Sequence, residues 1–234
     1  TNMEGRFYKC FNTTKHVADV QFNPDIPIHL SFDFNVQPYI TCTIWQVNGK
    51  IASQVDEICM EWPFNKTDSL CNEILRRYPN HAAGVFVYGD PSGRQEDTRT
   101  ETGSNDYSII KRTLWPLNPQ MRLLPKAPSV AMRGNWKNTT LETGFDGLSI
   151  KISRHCKRTI EDYLYLKQAA DGTKLKKRIT NKETGISYEQ YGHCSDANDY
   201  FLCTAFADSF SLYSNGPIRK SIIKPDKIYP KTSY

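Results

Sequence analysis

The 234-residue sequence has no apolar run near the ~20 residues that a membrane-spanning helix needs, which excludes that class. It has no G-x-x-x-x-G-K-[S/T] loop, so no phosphate-loop ATPase can be read in it. None of its seven cysteines forms a C-x-x-C pair, and their odd number reads as reduced thiols in an intracellular protein. His155-Cys156 and His193-Cys194 have the residue types of a four-ligand zinc site but lack finger-like spacing. No repeat or low-complexity segment interrupts the chain. The opening, TNMEGRFYKCF, lacks the basic, apolar and small-residue regions of a signal peptide. It also lacks an initiator methionine, an opening expected of a fragment.

What is present is a globular composition, 38% hydrophobic and 24% charged, enough for one substantial domain. The net charge of +5 is unevenly spread. From Lys151 to Lys182 basic residues are opposed only by Glu161, Asp162 and Asp171, and the tail adds Arg219, Lys220, Lys224, Lys227 and Lys231. A basic second half suits a polyanion, although a solvated face has the same composition.

Residues 1–27 show little periodicity and read as an extended lead-in. Three strand-like runs follow at 29–36, 39–47 and 50–61. Asn48-Gly49 marks a hairpin between the last two, so an antiparallel meander is expected. A helix is predicted over 65–77 and a buried strand over GVFVYGD (84–90). Then come a polar loop, a helix over 106–115, a short strand at 121–124 and a helix starting near Ser129. That order predicts a mixed sheet, antiparallel first and parallel after. Residues 162–179 read as two strands around Asp171-Gly172, a basic hairpin. A last helix is expected from Ser195 to about Phe210.

Three acids stand out. Asp33 lies in the first strand, where Ser31, Asp33 and Asn35 alternate with Leu30, Phe32 and Phe34. That pattern suits either a half-solvated sheet or a bound cation. Asp90 ends the fourth strand, a position for a site or for ordinary Asp-Pro turn chemistry. In YGHCSDANDY (191–200), Ser195 and Asp196 can open a helix as N-cap and first-turn acid. The same stretch brings His193, Asp196 and Asp199 together. Converging carboxylates of this kind hold two divalent cations for in-line displacement at phosphorus, and hard oxygen ligands favour magnesium or manganese. Glu57 can join such a cluster, although Asp56 and Glu61 beside it suit an exposed acidic edge.

The segments PIHLSFDFNVQPY (27–39), VYGDPSGR (87–94), NDYSII (105–110), SVAMRGNW (129–136), SRHCKRTIEDY (153–163) and HCSDANDYF (193–201), in that order, resemble the nuclease domain of the large terminase subunit of tailed bacteriophages. The resemblance implies a ribonuclease H-like α/β fold: a mixed central sheet flanked by helices, with an added basic β-hairpin. It implies a nuclease domain over 28–215, preceded at 1–27 by the connection to an absent ATPase motor and followed at 216–234 by a basic tail. Asp33, Asp90, Asp196 and His193 match the catalytic and metal-binding positions, with Asp33 bridging two Mg2+ or Mn2+ ions and Asp199 as an auxiliary acid. The implied activity is cutting of concatemeric double-stranded viral DNA in the host cytoplasm. Its implied partners are the motor, the small terminase subunit and the portal. Arg94 and Arg99, with Lys174, Lys176, Lys177 and Arg178 of the hairpin, are the expected DNA contacts. The alternatives are a non-catalytic DNA-docking module and another ribonuclease H-like nuclease, such as a junction resolvase or transposase.

Overall fold

A computed structural model describes residues 5–95 and 104–216. It begins with a one-turn helix, α1 (Thr13–His16), and a short strand, β1 (Val17–Ala18). The expected meander follows as β2 (Ile28–Asp33), β3 (Tyr39–Asn48) and β4 (Ile51–Glu61). Gly49, at φ +58, makes the tight β3–β4 turn possible. Next come α2 (Thr67–Arg77), β5 (Val85–Gly89), α3 (Asp106–Thr113), β6 (Gln120–Met121) and α4 (Val130–Thr143). Ser129 caps α4 by accepting a hydrogen bond from the Met132 amide.

Among the elements that lie outside the sequence reading are β7 (Ser149–Ser153) and α5 (Lys157–Tyr165). The hairpin around Asp171-Gly172 is present but short, pairing β8 (Lys167–Gln168) with β9 (Lys174–Leu175). Residues 162–165, expected in its first strand, complete α5 instead. A second ribbon pairs β10 (Arg178–Thr180) with β11 (Ser187–Glu189). The chain then enters α6 (His193–Ala205) and α7 (Ala207–Asn215). One long helix was expected here, but Phe206 leaves helical geometry and splits it.

The seven-stranded sheet has the order β1-β7-β4-β3-β2-β5-β6. The antiparallel meander forms its centre. β5 joins β2 in parallel on one side, and β7 joins β4 in parallel on the other. Each face carries its own core. One packs Ile28, Leu30 and Phe32 against α2 and α3 residues such as Leu70, Ile74 and Ile110. The other gathers Trp45, Trp136, Tyr163 and Phe201 from the sheet, α4, α5 and α6.

Both the amino-terminal segment and the polar side of β2 are packed. Residues 5–18 are built into the domain: Phe7, Tyr8 and Phe11 are buried in the second core, and β1 pairs with β7. Burying a side chain of that size stabilises by about 1.5–3 kcal/mol, so this segment belongs to the packed unit. The polar side of β2 is not half-solvated either. All six β2 residues are buried, because α6 lies across that face and Ser31 donates to the Ala197 carbonyl. The tail beyond Gly216 and Arg99 lie outside the described residues.

Candidate functional site

β2 and β5 run parallel in register, Phe32 beside Gly89, so Asp33 and Asp90 emerge side by side at the carboxyl edge of the sheet. Gly89 makes this approach possible. A Cβ there would stand 2.7 Å from both the Phe32 carbonyl oxygen and the Tyr107 hydroxyl, and its φ of +157 already favours glycine. The Asp90 amide donates to the Phe32 carbonyl at 3.2 Å, and Tyr107 donates to the Asp90 carbonyl at 2.7 Å. Asp90 Oδ1 accepts from the Ser92 amide at 2.8 Å, so the turn chemistry expected of Asp-Pro-Ser is also present.

The first turns of α6 arrive at the same edge. Asp33, Asp90 and Asp196 line one cleft of about 680 Å³, together with Glu189, Arg133, Lys174 and Lys176. Glu189 and Arg133 were not singled out from sequence. Arg133 lies within SVAMRGNW, but nothing local says that α4 aims it inward.

The four residues of the predicted site are held differently. Asp33 is buried, and burial pushes its carboxyl up while His193 pulls it back only in part. No lysine or arginine contacts it among the described residues. His193 Nδ1 lies 3.2 Å from Asp33 Oδ2, and Nε2 lies 3.0 Å from the Glu189 carbonyl. A carbonyl and an ionised carboxylate only accept, so the Asp33–His193 pair holds a proton between them. Burial lowers His193, but Asp33 outweighs it and leaves the imidazole above its ordinary value. With both nitrogens engaged, His193 orients Asp33 rather than presenting a nitrogen to the cleft.

Asp196 is the opposite case. Burial raises it, but Lys174 at 2.7 Å, Lys176 at 3.1 Å and Arg133 at 3.1 Å hold it far below the usual carboxylate range. Asp199, one turn further along α6, is sealed behind the cleft. It contacts Lys137, Lys174 (2.8 Å), Arg133 (3.4 Å) and the Tyr8 hydroxyl (3.0 Å). It anchors cations and does not reach the cleft.

Ser195 does not cap α6. The helix begins two residues earlier, after Gly192 at φ +121. The cap is Asp162 of α5, whose two oxygens accept from the Gly192 and Ser195 amides at 2.9 Å each. Burial pushes that carboxyl up to about 6 despite both bonds.

The expected DNA contacts divide. Lys174 is buried in the acid cluster, which removes it from any exposed phosphate-binding row. Lys176 bridges Glu189 and Asp196 at the cleft wall. Lys177 and Arg178 are exposed on the ribbon. Arg94 is tied to the Leu123 and Leu124 carbonyls. Glu57 is neither a cleft residue nor an idle edge acid: it accepts from the Arg158 and Thr159 amides at 2.8 Å each and caps α5. The zinc reading from His155-Cys156 and His193-Cys194 is not realised. Cys156 is buried, while the side chain of His155 is 59% exposed beside Asp56.

Among the described residues, no three His, Cys, Asp or Glu side chains converge closely enough to hold a metal ion as they stand. The donors nevertheless suit a hard cation. Asp33 and Asp90 face the cleft with no described lysine or arginine on them, and carboxylate oxygens are the ligands that a hard cation prefers. Asp196 can join such an ion only if its lysines give way.

No protein-family model matches the chain, and no curated protein sequence does. Solved structures do. The large terminase of a thermophilic bacteriophage superposes with a TM-score of 0.57 at 19% identity, over 86% of this chain and 45% of that one. The chain has the ribonuclease H-like fold of large terminase nuclease domains. The P22 large terminase nuclease domain gives 0.55 at 13% identity, covering 86% of this chain and 93% of the other. The large terminase nuclease of thermophilic phage G20c with bound cobalt gives 0.50 at 10% identity, covering 86% and 96%. This chain spans less than half the length of the first of these, the longer terminase. No helix among the described residues is long and apolar enough to cross a membrane.

Proposed function

We propose that the chain is the metal-dependent endonuclease domain of a phage large terminase, cutting concatemeric double-stranded DNA during genome packaging. The observation that carries this reading is the convergence of Asp33, Asp90 and Asp196, from three separate elements, on one cleft. The terminase fold supports it, as does a relative solved with cobalt. Asp33, Asp90 and Asp196 would hold two divalent cations, magnesium or manganese, which supply a water nucleophile and stabilise the leaving 3′ oxygen. His193 fixes the Asp33 carboxylate. Arg133 and Lys176 give the opposite wall a positive potential suited to a phosphodiester, while Lys177 and Arg178 lie along the flanking backbone without reading sequence. In the complete protein, an ATPase motor, the small terminase subunit and the portal would present the DNA, in the host cytoplasm.

The test is cleavage of supercoiled plasmid by the purified chain. Magnesium or manganese is expected to permit nicking and linearisation, and Asp33→Ala to abolish both while the variant stays folded. Equal cleavage by that variant would remove the assignment. The three cations on Asp196 favour one competing reading, a DNA-docking module without catalysis. Intact DNA affinity with no manganese heat in calorimetry would establish that module instead.

A further inference from the structure

Cys59 and Cys194 are 135 positions apart in the chain, yet their sulfurs lie 3.6 Å from each other. This is the one sulfur–sulfur hydrogen bond among the described residues. Cys59 sits near the end of β4 and Cys194 is the second residue of α6, next to His193. The pair is asymmetric. Cys194 is fully buried, whereas Cys59 is partly exposed and lines a separate cleft of about 440 Å³ with Met60, Trp62, Phe64 and Arg158. Glu57 Oε2 lies 3.9 Å from the Cys194 sulfur. Being the more exposed of the two, Cys59 is the thiol that an oxidant meets first, and Cys194 the one that resolves.

From this geometry we infer that Cys59 and Cys194 form a peroxide-reactive dithiol that closes to a disulfide joining β4 to the first turn of α6. The Cys59 thiolate attacks a peroxide oxygen, giving a sulfenic acid and releasing hydroxide or alkoxide. Cys194 gives its proton to Glu57 and attacks the Cys59 sulfur. The S–S bond forms as hydroxide leaves, and the protons released by the two thiols neutralise both leaving groups. Two thiols are oxidised by two electrons and one peroxide is reduced. The sulfurs need to approach by only about 1.5 Å to reach bonding distance. The inference stands whether or not the neighbouring acids cut DNA.

The experiment is peptide mapping of the folded chain after treatment with hydrogen peroxide, with and without later dithiothreitol. The expected result is loss of two of the seven thiols, with one dominant intramolecular cross-link between the Cys59 and Cys194 peptides. Dithiothreitol should reverse it, and Cys59→Ser should lack it. The same treatment in denaturant should scatter the pairings. Cys59 driven to sulfinic acid without a partner, cross-links spread over other cysteines in the folded chain, or an unreacted Cys59 beside oxidised neighbours would each overturn the inference.

Discussion

Lys174 Nζ lies 2.7 Å from Asp196 Oδ1, with the lysine side chain almost wholly sealed from water. That ammonium also reaches Asp199, so two acids one turn apart on α6 share it. Lys137 and Arg133 complete the cluster from α4, and Lys176 adds a fourth cation at the cleft. Positive charge therefore exceeds negative on the α6 wall. Asp33 and Asp90 make the β2–β5 wall acidic. A cleft polarised in this way suits a cation on one side and a phosphate on the other.

Breaking the buried cluster should be expensive. Asp199→Asn keeps the shape but leaves Lys137 and Lys174 short of a counter-charge, and a buried pair broken from one side costs about 3–5 kcal/mol. Urea denaturation should show that loss. The double variant Lys137→Met, Asp199→Leu should recover part of it, because it removes charge from both sides.

Acid titration should separate two groups of carboxylates. Asp196 and Asp199 are raised by burial, but their lysines and arginine hold both below the unfolded value of about 4. Their contribution is present above that pH and lost as pH falls through the folded values. Asp162 has the reverse sign. Burial puts it at about 6, so its contribution is present below about 4 and is lost as pH rises through 6. Urea midpoints measured from pH 3 to 7, a range chosen from these pKa values, should flatten below about 4 in Asp199→Asn. They should flatten between about 4 and 6 in Asp162→Asn. Unchanged slopes would contradict the two environments.

How much could be read in advance follows from where each signal resides. The meander was legible because its alternation and Asn48-Gly49 are local. The starts of α5 and α6 were not, since their caps come from far along the chain. Glu57 caps α5 from β4, and Asp162 caps α6 across a span that includes both ribbons. Ser195 therefore looked like a cap and is an interior residue. α4 misleads in another way, for it buries Arg133, Lys137 and Asn138. No hydropathy pattern marks such a face as inward, because the partners come from distant parts of the chain: Asp196 and Asp199 of α6, Tyr163 of α5, and the backbone of Phe7 and Cys10. The three cleft acids were identifiable one by one. Of their cations, Lys174 and Lys176 stood out only as expected DNA contacts, and Arg133 did not stand out at all.

Gly134→Ala tests the packing of the amino-terminal segment. Alanine should favour a helix interior by about 1 kcal/mol, but a Cβ here would stand 2.3 Å from Phe7 Cζ. Overpacking of that kind costs about 1–3 kcal/mol, so the net effect should be destabilising in thermal denaturation. Adding Phe7→Leu should relieve the clash. A simple gain from Gly134→Ala alone would mean that Phe7 does not lie on α4.

Lys176→Met removes one cation from Asp196 while leaving the buried Lys174 in place. Because the Lys176 side chain is 38% exposed, its influence is screened, and manganese affinity without DNA should rise by no more than about fivefold. Isothermal calorimetry reads this directly. Plasmid affinity at low salt should fall at the same time, since a phosphate contact is lost.

The most direct measurement is anomalous diffraction from a crystal of the chain soaked in manganese. The expected result is a manganese peak bonded to carboxylate oxygens of Asp33 and Asp90, with Asp196 turned from its lysines toward the ion. Full manganese occupancy elsewhere on the surface, with no peak between Asp33 and Asp90, would contradict the account.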